Sequence, residues 1–160
     1  MQLDIRRVRN SELSFLCELD QKIFSPPDAF DSPELWEDLE IFFITVNGIP
    51  VGSTAFQHNC DVADTFDSES LPDVGSVYLV TTGLLPEWRH LGIGKKVKAW
   101  QIRYARDRKF KRIVTNVRAS NRHSIHLNKQ FGFVEIKRTP CYYTDPDEEA
   151  VVLEKKLETY

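Results

Sequence analysis

Apolar positions along the first forty residues predict one strand followed by two helices. Residues 3–8 alternate between apolar and polar side chains, which is typical of a strand with one buried face. Apolar residues then recur at helical spacing over residues 13–24, and Ser11 is a candidate N-cap for that helix. A Ser-Pro-Pro-Asp stretch at 25–28 ends it. A second helix is predicted over residues 32–39, where serine precedes a proline at the first helical position.

The next apolar runs are short and predict a β-hairpin followed by a loop. Residues 41–46 and 51–57 have the composition of strands, and Asn47-Gly48 between them is a tight turn. Residues 58–74 carry five acidic side chains and few apolar ones, which predicts a long loop. Such a loop is either a solvated surface or, through its negative charge, a feature that attracts a cationic substrate.

The second half of the chain alternates apolar runs with segments of helical spacing. The predicted strands are residues 76–84, 112–117, 134–138 and 150–153. The predicted helices are residues 92–108, with core candidates Ile93, Val97, Trp100, Ile102 and Tyr104, and residues 121–130, with Gly132 as a candidate cap. A loop that contains Tyr142 and Tyr143 is predicted between the last two strands. This order predicts a mixed α/β sheet with helices packed on its faces.

A turn with two glycines joins the strand that ends before Pro86 to the following helix. Gly92 and Gly94 allow the backbone to approach a ligand closely, and the first N–H groups of the helix point toward an anion. Arg89 and Lys95 flank that position with positive charge. The arrangement predicts a phosphate-binding turn.

Composition narrows the class of protein. A length of 160 residues predicts a single domain, and a formal net charge of −3 gives no reason to expect nucleic acid as a partner. Three scattered cysteines favour a reducing compartment, and no histidine or cysteine cluster has metal-ligand spacing, so no metal site is predicted. The sequence has no apolar signal-like segment and no apolar run of about 20 residues. We therefore expect a cytoplasmic protein that neither spans nor binds a membrane.

Two motifs carry a resemblance to a known family. Arg-His-Leu-Gly-Ile-Gly at 89–94 resembles the (Gln/Arg)-x-x-Gly-x-(Gly/Ala) signature of the GNAT N-acetyltransferase superfamily, and Asn-Arg-His-Ser-Ile-His-Leu-Asn-Lys-Gln-Phe-Gly-Phe at 121–133 resembles its second signature. The resemblance implies one GNAT domain over residues 1–160. Its fold would be α/β, with a mixed, mostly antiparallel sheet that splays at the cofactor strand and helices on both faces. The implied activity is acetyl-CoA-dependent N-acetyl transfer.

The resemblance also implies which residues bind acetyl-CoA, the co-substrate. The backbone of Thr82, Gly83 and Leu84 would pair with the pantetheine arm. The phosphate cradle and its flanking charges would comprise Arg89, His90, Leu91, Gly92, Ile93, Gly94 and Lys95. Asn121 and Asn128 would also contact the cofactor. The basic residues Lys96, Lys98, Arg103, Arg106, Arg108, Lys109, Lys111 and Arg112 are either a solvated face or a contact to the CoA 3′-phosphate or an acidic partner.

The catalytic residues that the resemblance implies are incomplete. Asn128 stands where the family usually has a tyrosine as general acid, and an amide cannot supply a proton at neutral pH, although it can orient the sulfur or a water. Tyr78 is the candidate catalytic residue, because its strand resembles that of protein N-terminal acetyltransferases. In those enzymes the tyrosine acts with a histidine, whose place here is Asn116. A core aromatic is the alternative role for Tyr78.

The acceptor is the least determined part of the prediction. Candidate substrate-binding residues are Phe24, Phe30, Tyr142 and Tyr143, and the tyrosine pair resembles one that N-terminal acetyltransferases place over their substrates. We expect direct attack on the thioester by a primary amine of a protein or peptide. The alternatives are a small amine such as a polyamine or aminoglycoside, favoured by the acidic loop, and a CoA-binding module without turnover. A homodimer is a candidate assembly.

Overall fold

A computed structural model gives the fold and describes residues 1–58 and 75–157. The strands are β1 (Leu3–Arg7), β2 (Glu40–Val46), β3 (Ile49–Gln57), β4 (Ser76–Leu84), β5 (Arg112–Arg118), β6 (Val134–Tyr143) and β7 (Glu148–Lys156). The α-helices are α1 (Leu13–Ile23), α2 (Ile93–Asp107) and α3 (Arg122–Gln130), and short 3-10 turns occupy Asn10–Glu12, Pro33–Trp36 and Pro86–Trp88. No helix within the described residues is long and apolar enough to cross a membrane.

Within the described residues, seven strands form one mixed sheet in the order β1-β2-β3-β4-β5-β7-β6. The pairs β1–β2, β2–β3, β5–β7 and β6–β7 are antiparallel, whereas β4 and β5 are parallel. The parallel register joins Ser76–Leu79 of β4 to Arg112–Thr115 of β5. The predicted class, a mixed and mostly antiparallel α/β sheet, is confirmed.

The chain divides into two compact units, Met1–Phe56 with Val80–Val97 and Gln57–Leu79 with Lys98–Tyr160. In the first unit, neighbouring side chains of β2 pack against different helices. Phe43 belongs to an apolar cluster with Leu16 of α1, whereas Ile44 packs with Ile93 and Val97 of α2. Because successive strand residues point to opposite faces, α1 and α2 cover opposite faces of these strands, as predicted. A single domain over the whole chain stays a prediction.

A β-bulge in the same unit changes which side chains of β3 face α1 and which face α2. The register between β2 and β3 shifts after Ile44, which leaves Val51 as an extra residue opposite β2. Val51 therefore packs with Ile44 on the α2 side, while Ala55 belongs to the cluster on the α1 side.

The core of the second unit is built on β5 and β7. These strands pair over seven positions, from Arg112 with Lys156 to Arg118 with Ala150. The β7 residues Ala150, Val151, Val152 and Leu153 are all fully buried. Such a continuous apolar run is typical of a strand that is covered on both faces.

Several predicted boundaries are wrong. The helix predicted over 32–39 is only a 3-10 turn, because Glu37 is extended (ψ 145°) and Asp38 has a left-handed backbone (φ 64°). Ser11 is not the N-cap of α1, since a 3-10 turn precedes that helix and Glu12 occupies the cap position. Tyr142 and Tyr143 do not lie in a loop, because β6 continues to Tyr143. The acidic loop falls almost entirely outside the described residues.

The burial of α2 also differs from the prediction. Ile93, Val97 and Ile102 are core residues as expected, but Trp100 and Tyr104 are half-buried and stack on each other, with ring centroids 5.2 Å apart. Lys98, predicted on a solvated basic face, is 5% exposed, and its Nζ lies 5.0 Å from the centroid of the Phe133 ring. Burial lowers the pKa of Lys98 to about 7.

Candidate functional site

In the first unit, the turn between β4 and α2 has the backbone conformation that an anion cradle requires. His90 and Gly92 both have left-handed backbones, with φ of 62° and 83°. The first N–H groups of α2, which begins at Ile93, have no partner within the helix. A Cβ built on Gly92 would meet no atom within 4 Å, so the turn is open to a ligand. These features fit the pyrophosphate of acetyl-CoA.

The side chains of this turn have different surroundings. Leu91 is 56% exposed, and His90 and Lys95 are also exposed. Ile93 is fully buried in the core of the first unit, so only its backbone can face a ligand. Contact between these residues and acetyl-CoA stays a prediction.

Arg89 connects the turn to two other elements of the first unit. Its Nε donates a hydrogen bond to the carbonyl oxygen of Leu84 at 3.0 Å, and its Nη2 donates one to the carbonyl oxygen of Ile23, also at 3.0 Å. The predicted role of this side chain was a positive charge beside the phosphate. The structure gives it at least a second role, which is to hold the ends of β4 and α1 near the turn.

The end of β4 makes unusually close contacts. A Cβ on Gly83 would clash with the side chain of Ile23 and lie 2.7 Å from Cζ of Phe24. A Cβ on Gly52 would clash with the carbonyl oxygen of Gly83. Only glycine permits these approaches. The structure therefore brings Phe24, a predicted acceptor contact, against one of the residues predicted to pair with pantetheine.

Phe24 and Phe30 delimit a turn that we call segment 24–30. The carbonyl oxygen of Ser25 accepts hydrogen bonds from the N–H groups of Asp28 and Ala29, both at 3.0 Å. The Phe30 ring packs on Trp36, with centroids 4.7 Å apart. Both predicted acceptor residues are thus held within one compact turn of the first unit.

Asp20, a fully buried residue of α1, is a candidate site residue that hydrophobic patterning did not identify. Its Oδ2 accepts a hydrogen bond from the N–H of Phe30 at 2.7 Å, whereas its Oδ1 has no partner among the described residues. Burial raises the pKa of Asp20 to about 6, and the Phe30 hydrogen bond opposes that rise. Asp20 falls at helical spacing from the buried Leu16 and Ile23. An acid on an apolar helix face was the signal that could have revealed it.

In the second unit, Tyr78 and Asn116 lie on the same face of the sheet. Tyr78 of β4 is 7% exposed and pairs in register with Val114 of β5, two residues before Asn116. Residues two apart on a strand share a face. The amide nitrogen and oxygen of Asn116 are both buried and have no hydrogen-bond partner in the described part of the chain.

The two asparagines of α3 have different hydrogen bonds. Asn121 is the N-cap, and its side-chain oxygen accepts from the N–H of Ser124 at 3.2 Å. Asn128 is 3% exposed, and its Nδ2 donates to the carbonyl oxygen of Ser124 at 2.8 Å. Its Oδ1 is buried without a partner among the residues described. Asn128 therefore has one buried acceptor oxygen that no described residue satisfies, and its amide cannot supply a proton at neutral pH.

Tyr142 and Tyr143 form a pair at the end of β6 that is held by Arg118. Their ring centroids are 4.9 Å apart and nearly perpendicular, and the Arg118 guanidinium lies 4.6 Å from the centroid of Tyr143. Arg118 also donates hydrogen bonds to the carbonyl oxygens of Thr144 and Pro146, at 2.9 Å and 3.0 Å. Tyr142 is 37% exposed. Of the pair, Tyr143 is fixed by packing and Tyr142 presents its ring to solvent.

No group of three or more His, Cys, Asp or Glu side chains within residues 1–58 and 75–157 could hold a metal ion. Cys17 is buried and Cys141 is exposed, and both are free thiols.

Comparisons with known proteins give the family. The acetyltransferase (GNAT) family model matches residues 13–133. None of the curated protein sequences is significantly similar to this chain.

Solved structures share the fold. Ribosomal-protein-S18-alanine N-acetyltransferase from Escherichia coli superposes with a TM-score of 0.80 at 19% identity, covering 99% of this chain and 96% of that chain. An acetyltransferase from Salmonella typhimurium with its cofactor acetyl-CoA gives 0.75 at 16% identity, covering 99% and 95%. The dodecameric spermidine N-acetyltransferase from Vibrio cholerae gives 0.75 at 16% identity, covering 97% and 94%. With most of the chain matched by the family model, this protein belongs to the GNAT acetyltransferase family and is an acetyl-CoA-dependent N-acetyltransferase.

Proposed function

We propose that this enzyme acetylates the α-amino group of a protein or peptide, by direct attack of the neutral amine on the thioester of acetyl-CoA. The observation that carries the choice of acceptor is the pair Tyr142 and Tyr143. Arg118 holds Tyr143 in place, and the exposed Tyr142 ring beside it offers a surface to the first residues of a peptide. The structural likeness to an enzyme named for a ribosomal-protein alanine is consistent with this acceptor.

In this proposal acetyl-CoA binds in two stretches of the first unit. The pyrophosphate lies against the backbone of the turn from Arg89 to Lys95, where two left-handed residues and the start of α2 support an anion. The pantetheine arm pairs with the backbone of Thr82, Gly83 and Leu84. Asn121 and Asn128 act on the cofactor through their amides.

The reaction itself favours an α-amine over a lysine side chain. Attack requires a neutral nitrogen, and at pH 7.5 roughly 40% of α-amino groups are neutral, against roughly 0.1% of lysine side chains. The family resemblance implies a histidine at position 116 and a tyrosine at position 128. This chain has asparagine at both, and an amide is neither a general base nor a general acid near pH 7. Tyr78 is the proposed proton relay: as the C–S bond of the thioester breaks, its hydroxyl oxygen accepts the proton from the amine nitrogen and its own proton passes to the leaving CoA thiolate. An amine with a low pKa is already partly neutral, so it needs the least acid–base assistance from such a site.

A small polycation is the second candidate acceptor. Five acidic residues lie within residues 58–74, and a neighbour with the same fold is a spermidine N-acetyltransferase. Negative charge near a site would favour a cationic amine over a neutral peptide.

The test is a thiol-release assay with acetyl-CoA and a panel of amines. The panel contains peptides with a free N-terminus, the same peptides with a blocked N-terminus, peptides with an internal lysine, polyamines and aminoglycosides. The proposal expects release that requires the free N-terminus. Release with polyamines alone would transfer the assignment to the second candidate. Silence across the panel, together with acetyl-CoA binding by calorimetry, would indicate a CoA-binding module without turnover.

A further inference from the structure

We infer that Asp20 is a positioning residue for acetyl transfer, which fixes segment 24–30 on α1 and thereby sets the affinity for the amine acceptor. The second half of this inference rests on the proposed function, because it takes segment 24–30 to contact the acceptor. The first half concerns the protein alone and is tested separately.

Asp20 holds both ends of the segment. Its backbone carbonyl oxygen accepts the N–H of Phe24 at 2.9 Å, and its side-chain Oδ2 accepts the N–H of Phe30 at 2.7 Å. One residue therefore closes a turn of seven residues at its first and last positions. Without the carboxylate, the Phe30 N–H would lose its acceptor in a part-buried position.

The surroundings of Asp20 give no other reason for an acid at this position. The residue is fully buried on the face of α1 that also carries Leu16, Cys17, Leu19 and Ile23. An apolar side chain would pack there without the desolvation that a carboxylate incurs. The bond to Phe30 is the one hydrogen bond that the side chain makes among the described residues. Its contribution is therefore to the position of segment 24–30.

The segment contacts the end of β4, so its position determines where the Phe24 ring lies relative to that strand. The Phe24 ring lies directly against Gly83, where even a Cβ atom would be too close, and the Phe30 ring packs on the buried Trp36. Displacement of the segment would move Phe24 relative to the strand that we propose binds pantetheine. The expected consequence is weaker acceptor binding, with the acetyl-CoA contacts left intact.

Three variants separate a hydrogen-bonding role from general destabilisation. Asp20→Leu has the same branching and number of side-chain heavy atoms but no acceptor oxygen, and Asp20→Asn keeps an acceptor oxygen without the charge. Glu18→Ala removes an exposed acid from the same helix and is the matched control. Thermal unfolding verifies that each variant folds. Asp20→Ala removes the same oxygen with no added apolar volume, and it replaces the leucine variant if that protein does not fold.

The first measurement is hydrogen exchange of the Phe30 amide, observed by NMR without any acceptor. In Asp20→Leu we expect exchange about tenfold faster than in the parent, as the loss of one part-buried hydrogen bond implies. Asp20→Asn and Glu18→Ala should retain the parent rate. An unchanged rate in Asp20→Leu would overturn the inference.

The second measurement is steady-state kinetics with the most active free-N-terminus peptide of the panel. We expect the KM for peptide to rise about tenfold in Asp20→Leu, with kcat within about twofold and an unchanged dissociation constant for acetyl-CoA. Asp20→Asn should restore the parent KM. A KM that stays at the parent value in Asp20→Leu, or that rises equally in Asp20→Asn, would overturn the positioning role. Failure of the proposed function has a different signature, since the parent itself would then release no thiol with any peptide.

Discussion

Arg89 and Ile23 are joined by a hydrogen bond of 3.0 Å from Nη2 of the guanidinium to the carbonyl oxygen at the end of α1. The same side chain reaches the carbonyl oxygen of Leu84 through Nε. The arginine of the glycine signature therefore connects the last turn of α1, the end of β4 and the turn that precedes α2. Within the first unit, Arg89 therefore joins the proposed phosphate cradle to Ile23, the residue that precedes segment 24–30.

Gly92 and Gly48 form a matched pair for testing the cradle. Their φ values are 83° and 82°, and a Cβ at either position would meet no atom within 4 Å. Alanine should therefore cost each position about 1 kcal/mol of folding free energy, through the left-handed backbone alone. We expect only Gly92→Ala to weaken acetyl-CoA binding, because only there would the methyl group face the ligand. Calorimetry on both variants decides, and equal affinities would contradict the cradle.

Tyr78 is expected to contribute to turnover through its hydroxyl group. Tyr78→Phe keeps the buried ring of β4 and should lower kcat by about 100-fold, because it removes the hydroxyl proposed to relay the amine's proton to the leaving thiolate. The dissociation constant for acetyl-CoA should stay the same. Kinetics that match the parent from about pH 6 to 9, the range in which an α-amine titrates, would show that Tyr78 is a core aromatic.

Asn116 should show a trade-off between stability and activity. Both of its amide atoms are buried without a partner among the described residues, which costs about 1–3 kcal/mol for each unsatisfied group. Asn116→Leu has the same branching and number of side-chain heavy atoms and removes that cost, so we expect a higher free energy of unfolding. If the amide serves the reaction, kcat falls in the same variant. Urea unfolding and the thiol-release assay measure the two effects, and a destabilised or fully active variant would be contrary to expectation.

The sequence predicted best where the signals are local. The strand over 76–84, the turn and the helix that follows were all predicted correctly. A β-branched run, Pro86 and the two glycines each determine the backbone of their immediate sequence neighbours. The helix predicted over 32–39 failed for a related reason. Its serine, proline and apolar spacing favour a helix, but the left-handed Asp38 ends the turn, and no periodic pattern announces that angle.

The remaining errors depend on contacts that are distant in the sequence. β6 extends to Tyr143 through pairing with β7, although most of its side chains are exposed and show no alternation. Asp20 and Lys98 are charged residues on buried helix faces. Hydrophobic patterning assigns charge to the surface, so it misplaced Lys98 and passed over Asp20. Both are recognisable only by their position relative to apolar neighbours three or four residues away.

Arg118 should matter for the acceptor and not for the cofactor. Its guanidinium stacks on Tyr143, donates to the carbonyl oxygens of Thr144 and Pro146, and forms an ion pair with Glu148 at 3.3 Å. Lysine keeps the charge but lacks the planar fork that makes these bonds together. We expect Arg118→Lys to raise the KM for peptide about fivefold, the effect of losing about 1 kcal/mol of positioning. Acetyl-CoA affinity, measured alongside, should not change. A parent-like KM would separate the tyrosine pair from acceptor binding.

The burial of Lys98 should make the free energy of unfolding depend on pH. Burial lowers its pKa in the folded protein to about 7, whereas an unfolded lysine titrates at about 10.4. Between these values the unfolded chain binds a proton that the folded chain releases, so the free energy of unfolding should rise as pH increases from about 7 to 10. Below about pH 7 both states carry the charge, and the full cost of its burial is present.

Lys98→Met keeps an unbranched chain against Phe133 and removes the titrating group. At pH 7 this variant should be more stable than the parent, and the difference should shrink as the pH rises toward about 10.4, above which the parent lysine is largely neutral in both states. Urea unfolding at several pH values measures the difference, with Lys96→Met, an exposed neighbour on α2, as the control for losing one positive charge. Parallel curves for the parent and Lys98→Met would mean that Lys98 titrates as an exposed lysine does, and its burial would then have no energetic consequence.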